Sequence, residues 1–507
     1  MTHITQQNAL NPAASSTHQT KPPRIIQGGM GVAVSDWRLA RAVSLTGELG
    51  VVSGTGIDNV LVRRLQDGDP EGHVRRALAA YPLQDKAQEF VTKYFIEGGK
   101  PADKPYARVP LPTHRSHRLA WELSIAGGFV EVWLAREGHD FPVGLNLLTK
   151  LELMTMPALY GAMLAGVDTV IMGAGIPREV PLALDNLAAG RPGTFRLSVK
   201  GDPQGETPLV TLDPAAYGFA GTTTARPRFY PIITSHVLAG VLTKKAGGSI
   251  EGFVIEGPTA GGHNAPPRGK YAYDEIGQPV YGERDVCDLS EMRKIGLPFW
   301  LAGGYGSPEG LREALAEGAA GVQVGTLFAY SKEAGIRDDL QAEVLERVRE
   351  GNLAVYTDPL ASPTGFPFKV VQLPETLSNP EVYAARTRIC DIGYLREAYW
   401  ETDPGKEGKV GWRCPAEPVD TYVAKGGKLE DTVGRKCLCN ALMADAGMPQ
   451  LQKGGELEKS LLTSGDGLVE LSRWKPGYTA ADAVAYLRGE LVGSDAGTAQ
   501  PAEAALG

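Results

Sequence analysis

The chain has 507 residues, of which 43% are hydrophobic and 22% charged, with a formal net charge of −8 and a pI near 5.7. That balance excludes general affinity for phosphodiester backbones, which needs clustered Lys and Arg to release counterions. No run reaches the roughly 18 uninterrupted apolar residues of a membrane span, and five cysteines without an export signal argue against a disulfide framework. The expectation is a cytoplasmic enzyme.

In chain order, residues 1–22 are polar, lacking the basic start and apolar run of a signal peptide, and are expected to form a disordered tail. A strand at 24–27 runs into Gln27-Gly28-Gly29-Met30-Gly31, and Ser35-Asp36 then caps a helix over 37–45, with Gly47 just beyond. After a strand at 49–53 comes an insertion, 58–138, that reads as mostly helical (60–65, 74–80, 85–93) with a polar, Pro-containing stretch at 98–112. Strands at 141–147 and 168–172 flank a helix over 154–165. Segments 195–199 and 208–212 alternate like a hairpin around Gly201-Asp202-Pro203-Gln204-Gly205, placed to cover one face.

The strands at 229–234, 252–256, 299–302 and 321–325 bring the number to eight. Short Val- and Ile-rich runs alternating with helical spacing predict βα units, and eight of them close a (β/α)8 (TIM) barrel. Ser307-Pro308-Glu309 opens another helix, running to Gly318. Residues 23–390 are thus expected to form the barrel with its insertion, 391–492 a C-terminal extension, and 493–507 a second disordered tail.

In such a barrel the active site lies at the C-terminal ends of the strands, and phosphate is commonly held after the seventh and eighth. Gly303-Gly304 and Gly325-Thr326 stand there, and glycine lets backbone N–H groups approach a phosphate. The pair suits a phosphorylated cofactor such as FMN. Gly29, Met30 and Gly31 would let the first loop lie against its flat ring, and Asn146 ends an apolar strand with a buried amide that needs a partner.

His263, in Ala260-Gly261-Gly262-His263, follows the sixth strand. Histidine has the pKa to take a proton near neutrality, and Gly262 lets substrate and cofactor come close. Of the eight histidines, His3 and His18 lie in the tail, and His73, His114, His117 and His139 in or beside the insertion. His236 follows the capping hydroxyls Thr234-Ser235 and reads as structural.

These residues resemble the nitronate monooxygenases, formerly 2-nitropropane dioxygenases, and the related FMN-dependent enoyl reductases. The resemblance rests on Ile25-Ile26-Gln27-Gly28-Gly29-Met30-Gly31, Ala260-Gly261-Gly262-His263, Ala302-Gly303-Gly304 and Gly325-Thr326. It implies non-covalent FMN, its phosphate at Gly303-Gly304 and Gly325-Thr326 and its ring near Met30 and Asn146. His263 would be the base in oxidation of a nitroalkane or nitronate by O2 to a carbonyl compound and nitrite. Thr259 stands where the family often has an acidic residue and Leu327 where it often has a basic one, and the stretch after His263 is longer than usual.

Two other readings stand beside it: an NAD(P)H-dependent FMN reductase of enoyl thioesters or quinones, and a flavin-binding protein with a non-catalytic interaction role. No Gly-x-Gly-x-x-Gly fingerprint is present. The expected partners are a small-molecule substrate and O2, not nucleic acid or membrane, with homo-oligomer formation left open. Cys390, Cys414, Cys437 and Cys439 fall in the extension without a Cys-x-x-Cys knuckle, so buried thiols rather than metal ligands are expected, with Arg435-Lys436 near enough in sequence to activate one.

Overall fold

Eight short apolar segments form the strands: β1 (Ile25–Gln27), β2 (Gly50–Ser53), β3 (Val143–Leu148), β4 (Thr169–Gly173), β5 (Arg228–Ile233), β6 (Phe253–Glu256), β7 (Phe299–Ala302) and β8 (Gly321–Val324). Almost every residue in them is buried, as expected of parallel strands covered on both faces. In this computed structural model, which describes residues 22–201, 206–402, 405, 408–452 and 454–490, they make one parallel sheet in the order β1-β8-β7-β6-β5-β4-β3-β2. The seam between β1 and β2 is closed by Gln27 N–H donating to Leu49 O (3.0 Å) and Leu49 N–H to Ile25 O (3.1 Å). The Gln27 side chain adds a third bond, accepting from Val51 N–H at 2.9 Å. The expected (β/α)8 barrel is therefore present. The expected tails, apart from Pro22, and the tip of the 201–205 connection lie outside the described residues.

Ile26, Val51, Ile171, Tyr230, Val254 and Trp300 pack inside the barrel as a separate apolar cluster. The helices outside start where capping residues predict. Asp36 accepts from Arg38 and Leu39 N–H ahead of Trp37–Ser44, and Ser307 accepts from Gly310 N–H ahead of Pro308–Ala316.

The insertion holds the three expected helices (Ile57–Gln66, His73–Ala79, Gln84–Tyr94) and a fourth, Arg118–Arg136, that sequence reading did not isolate. Gly127-Gly128 in its middle counts against a helix by propensity. The glycines are there for contact: a Cβ at Gly128 would strike the backbone of Glu152–Leu164, and one at Gly161 of that helix would strike Ile125 O.

Gly193–Arg196 pairs antiparallel with Leu209–Leu212 as the hairpin reading expects. Val199, placed by that reading at the end of the same strand, instead joins Lys200 in pairing parallel with Glu397–Trp400 of the extension, which pairs with Val410–Arg413. The break comes at Ser198, whose N–H and hydroxyl are both held by the Glu152 carboxylate. No helix among the described residues is long and apolar enough to cross a membrane.

Candidate active site

A cavity of about 250 Å³ opens at the C-terminal ends of the strands. Its wall includes Gly29, Met30, Gly31, Asn146, Gly262, His263, Gly303, Gly304, Gly325 and Thr326, so every candidate residue reaches one space. The first loop is held from behind by Ser35, whose hydroxyl accepts from Met30 N–H (2.9 Å) and donates to Gly28 O (3.0 Å). Asn146 donates its amide to Gly29 O at 3.1 Å, so the partner its burial demands is supplied by the first loop. That contact also explains Gly29: a Cβ there would lie 2.2 Å from Asn146 Cβ.

At the other end Gly303 and Gly304 adopt φ of +87° and +81°, a left-handed turn that glycine takes without strain. A Cβ at Gly304 would meet only the Thr259 hydroxyl, at 3.6 Å, and one at Gly262 would meet nothing within 4 Å. These are bare backbone faces that a ligand can approach. The Thr326 hydroxyl accepts from Gly465 N–H at 2.9 Å, leaving its own proton to give. Gln323 carries a buried side-chain oxygen with no hydrogen-bond partner in the protein, on the wall of the same cavity. Glycine faces, a hydroxyl donor and an unpartnered amide oxygen fit FMN, a phosphate joined to a flat heteroaromatic ring.

His263 follows β6, pinned between elements distant in the chain. Gly262 N–H donates to the Thr463 hydroxyl (2.9 Å), Lys369 N–H donates to Gly262 O (2.9 Å), and the ring meets Phe368 edge-on at 4.8 Å. Its Nε2 lies 2.7 Å from the Ser362 hydroxyl. Burial, with the Lys150 ammonium adding to it, pulls the imidazole down to about 4 and keeps it neutral at pH 7. Glu256, at the end of β6, borders the cavity with burial pushing its carboxyl up to about 8. His236 begins a helix capped by Ser235 and does not line the cavity.

Sequence reasoning missed the extension's part in the site. Leu462, Thr463, Ser464 and Gly465 line the cavity, and Asp466 N–H donates to Thr259 O at 3.0 Å. Lys369, nearly fully buried, reaches Asp466 (2.6 Å) and the Thr357 hydroxyl (2.9 Å). No local spacing signals these partners. Where the resembling family often carries charge, the Thr259 hydroxyl packs beside Gly303, and Leu327 is buried with its carbonyl taken by the Tyr478 hydroxyl.

In the extension, burial pushes the thiols of Cys390, Cys414, Cys437 and Cys439 up. Arg435 does not face them, bonding Leu360 O and Ser362 O instead, and Lys436 lies over the Tyr383 ring. At Cys437 burial dominates, and the cation that offsets part of the rise is Arg386. Among the described residues no three His, Cys, Asp or Glu side chains are set to hold a metal.

Barrel, glycine loops and buried histidine define the class, a flavin-dependent oxidoreductase. Residues 224–355, which carry β5 to β8 and the loops after them, match the family model described as nitronate monooxygenase. The match covers the stretch holding His263, Gly303-Gly304 and Gly325-Thr326, about a quarter of the chain, and the chain is an FMN-dependent oxidoreductase. No curated protein matches the chain. Among solved structures, it is similar to FabK from Thermotoga maritima (15% identity, 93% of this chain and 92% of that one, TM-score 0.43). It is similar also to nitroalkane oxidase from Streptomyces ansochromogenes (16% identity, 93% and 96%, TM-score 0.43). A third is the enoyl reductase domain of MlnA from Bacillus amyloliquefaciens (12% identity, 92% and 94%, TM-score 0.40).

Proposed function

We propose that this enzyme oxidises nitroalkanes and alkyl nitronates with O2 to a carbonyl compound and nitrite, acting on a small-molecule substrate in the cytoplasm. One observation carries the reading: a neutral imidazole, held through Nε2 by Ser362, stands on the wall of the cavity that fits FMN. It does so inside the stretch matched by the nitronate monooxygenase model.

Gly303, Gly304, Gly325 and Thr326 would hold the phosphate, and Gly29, Met30, Gly31, Asn146 and Gly262 would border the ring. When bound, FMN supplies an acceptor for the substrate's electron pair and passes it to oxygen. His263 takes the α-proton of a neutral nitroalkane. The anion forming beside the ring then offsets the burial that disfavours imidazolium. A nitronate arrives without that proton and asks only to be positioned.

The test is the visible spectrum of the purified protein followed anaerobically with a nitronate and, separately, with NADPH. Bleaching by the nitronate is expected; bleaching by NADPH alone would overturn the proposal. His263→Asn should keep the flavin spectrum while turnover of neutral nitroalkane falls by ~10² to 10⁴. An unchanged rate would remove His263 as base.

A further inference from the structure

The Ser362 hydroxyl is shared by three groups. It lies 2.7 Å from His263 Nε2 and 2.8 Å from the Thr364 hydroxyl, and it accepts from Thr364 N–H at 3.2 Å. A serine hydroxyl has one proton to give. It donates either to His263 Nε2 or to Thr364 Oγ1, and the choice decides which ring nitrogen of neutral His263 carries hydrogen. Donation to Nε2 puts the hydrogen on Nδ1. Donation to Thr364 makes Nε2–H the donor to Ser362 and leaves the lone pair on Nδ1.

The surroundings of the two hydroxyls favour the second arrangement. Among the described residues, His263 has no side-chain hydrogen bond in the protein except through Nε2, and Nδ1 is not among the buried atoms left without a partner, so Nδ1 is the ring nitrogen reached from the cavity. Ser362 is fully buried, whereas Thr364 is half-buried and borders a second cavity of about 210 Å³, into which its own hydroxyl proton can be given. Phe366 N–H, 3.5 Å from Thr364 Oγ1, approaches the same oxygen as a donor.

We propose that Thr364 is a positioning residue: it draws the Ser362 proton outward, holds His263 as the Nε2–H tautomer and so presents Nδ1 to the catalytic cavity as the basic nitrogen. This rests on the reading of His263 as base. Such tautomer control through a hydrogen bond on the far nitrogen is how imidazoles are commonly set for their task.

The tautomer is read directly by nitrogen NMR of the full-length, flavin-loaded protein labelled at histidine nitrogens, with the His263 signals assigned by their loss in His263→Asn. At neutral pH the wild type should show Nε2 protonated and Nδ1 unprotonated. Thr364→Val and, as a second variant with less bulk, Thr364→Ala should move the population toward Nδ1–H, while Thr364→Ser should keep the wild-type pattern. Turnover of neutral nitroalkane should fall about tenfold in the Val and Ala variants, the worth of one hydrogen bond, with the KM and nitronate turnover little changed. A wild-type ring protonated at Nδ1, or a Thr364→Ala spectrum identical to wild type, would overturn the proposal. Failure of the base reading shows differently, as unchanged nitroalkane turnover in His263→Asn while the wild type and the Thr364 variants show the expected tautomer pattern.

Discussion

Glu256 ends β6 facing the cavity, and no hydrogen bond to its carboxylate is made among the described residues. Burial moves its carboxyl from the ordinary 4.5 to about 8. Between those two values the folded chain holds a proton that the unfolded chain has released, so stability from this group falls as pH rises and levels off above about 8. At about 1.4 kcal/mol per pH unit, the full loss is on the order of 5 kcal/mol. Glu256→Gln carries no proton to lose and should escape that fall. Asp445 and Asp58, raised by burial to about 7 and about 6, titrate in the same direction but are common to both proteins. The difference between variant and wild type therefore isolates Glu256. The assay is urea unfolding of flavin-free protein across the range from mildly acidic to mildly alkaline pH. The stability gap should be near zero at the acid end and widen steadily toward the alkaline end. Parallel curves would refute the reasoning.

Gly29→Ala places a Cβ 2.2 Å from Asn146 Cβ and should cost about 1 to 3 kcal/mol or more with loss of flavin; the double variant with Asn146→Gly should regain soluble, coloured protein. Thr463→Val removes the acceptor of Gly262 N–H and should weaken FMN binding about tenfold by flavin-fluorescence titration, marking the extension as part of the site. Arg386 and Glu458 form a two-pronged pair with side chains 7% and 0% exposed, so Arg386→Met should lower unfolding stability by about 3 to 5 kcal/mol through a buried carboxylate left without its cation, with the Gln452 amide still donating to it, and a Met pair at both positions should recover most of the loss.

The eight strands were legible because burial on both faces writes a short apolar run into each of them, flanked by turn residues. The helices at Trp37–Ser44 and Pro308–Ala316 were legible because Asp36 and Ser307 cap them within three residues. The helix Arg118–Arg136 was not, since it is buried around most of its circumference and carries a Gly-Gly pair that only its neighbours explain, Gly127 lying against Ile57–Gln66 and Gly128 against Glu152–Leu164. Val199 was misassigned for the same kind of reason: its partner strand, Glu397–Trp400, is nearly two hundred residues on, and alternation names no partner.

What the sequence by itself determined is the barrel, the glycine loops after β1, β7 and β8, and His263 after β6. Each follows from residues adjacent in the chain: apolar periodicity, a missing Cβ, a titratable ring at a strand end. What only the tertiary structure decided is how the histidine is held and what closes the cavity around it. Ser362 lies 99 residues from His263, and Thr463 lies 201 residues from Gly262. Ser362 lies in the stretch that follows β8 and Thr463 in the extension, and the path that returns both to the barrel mouth is set by packing and hydrogen bonding summed over the whole chain, which no local spacing encodes.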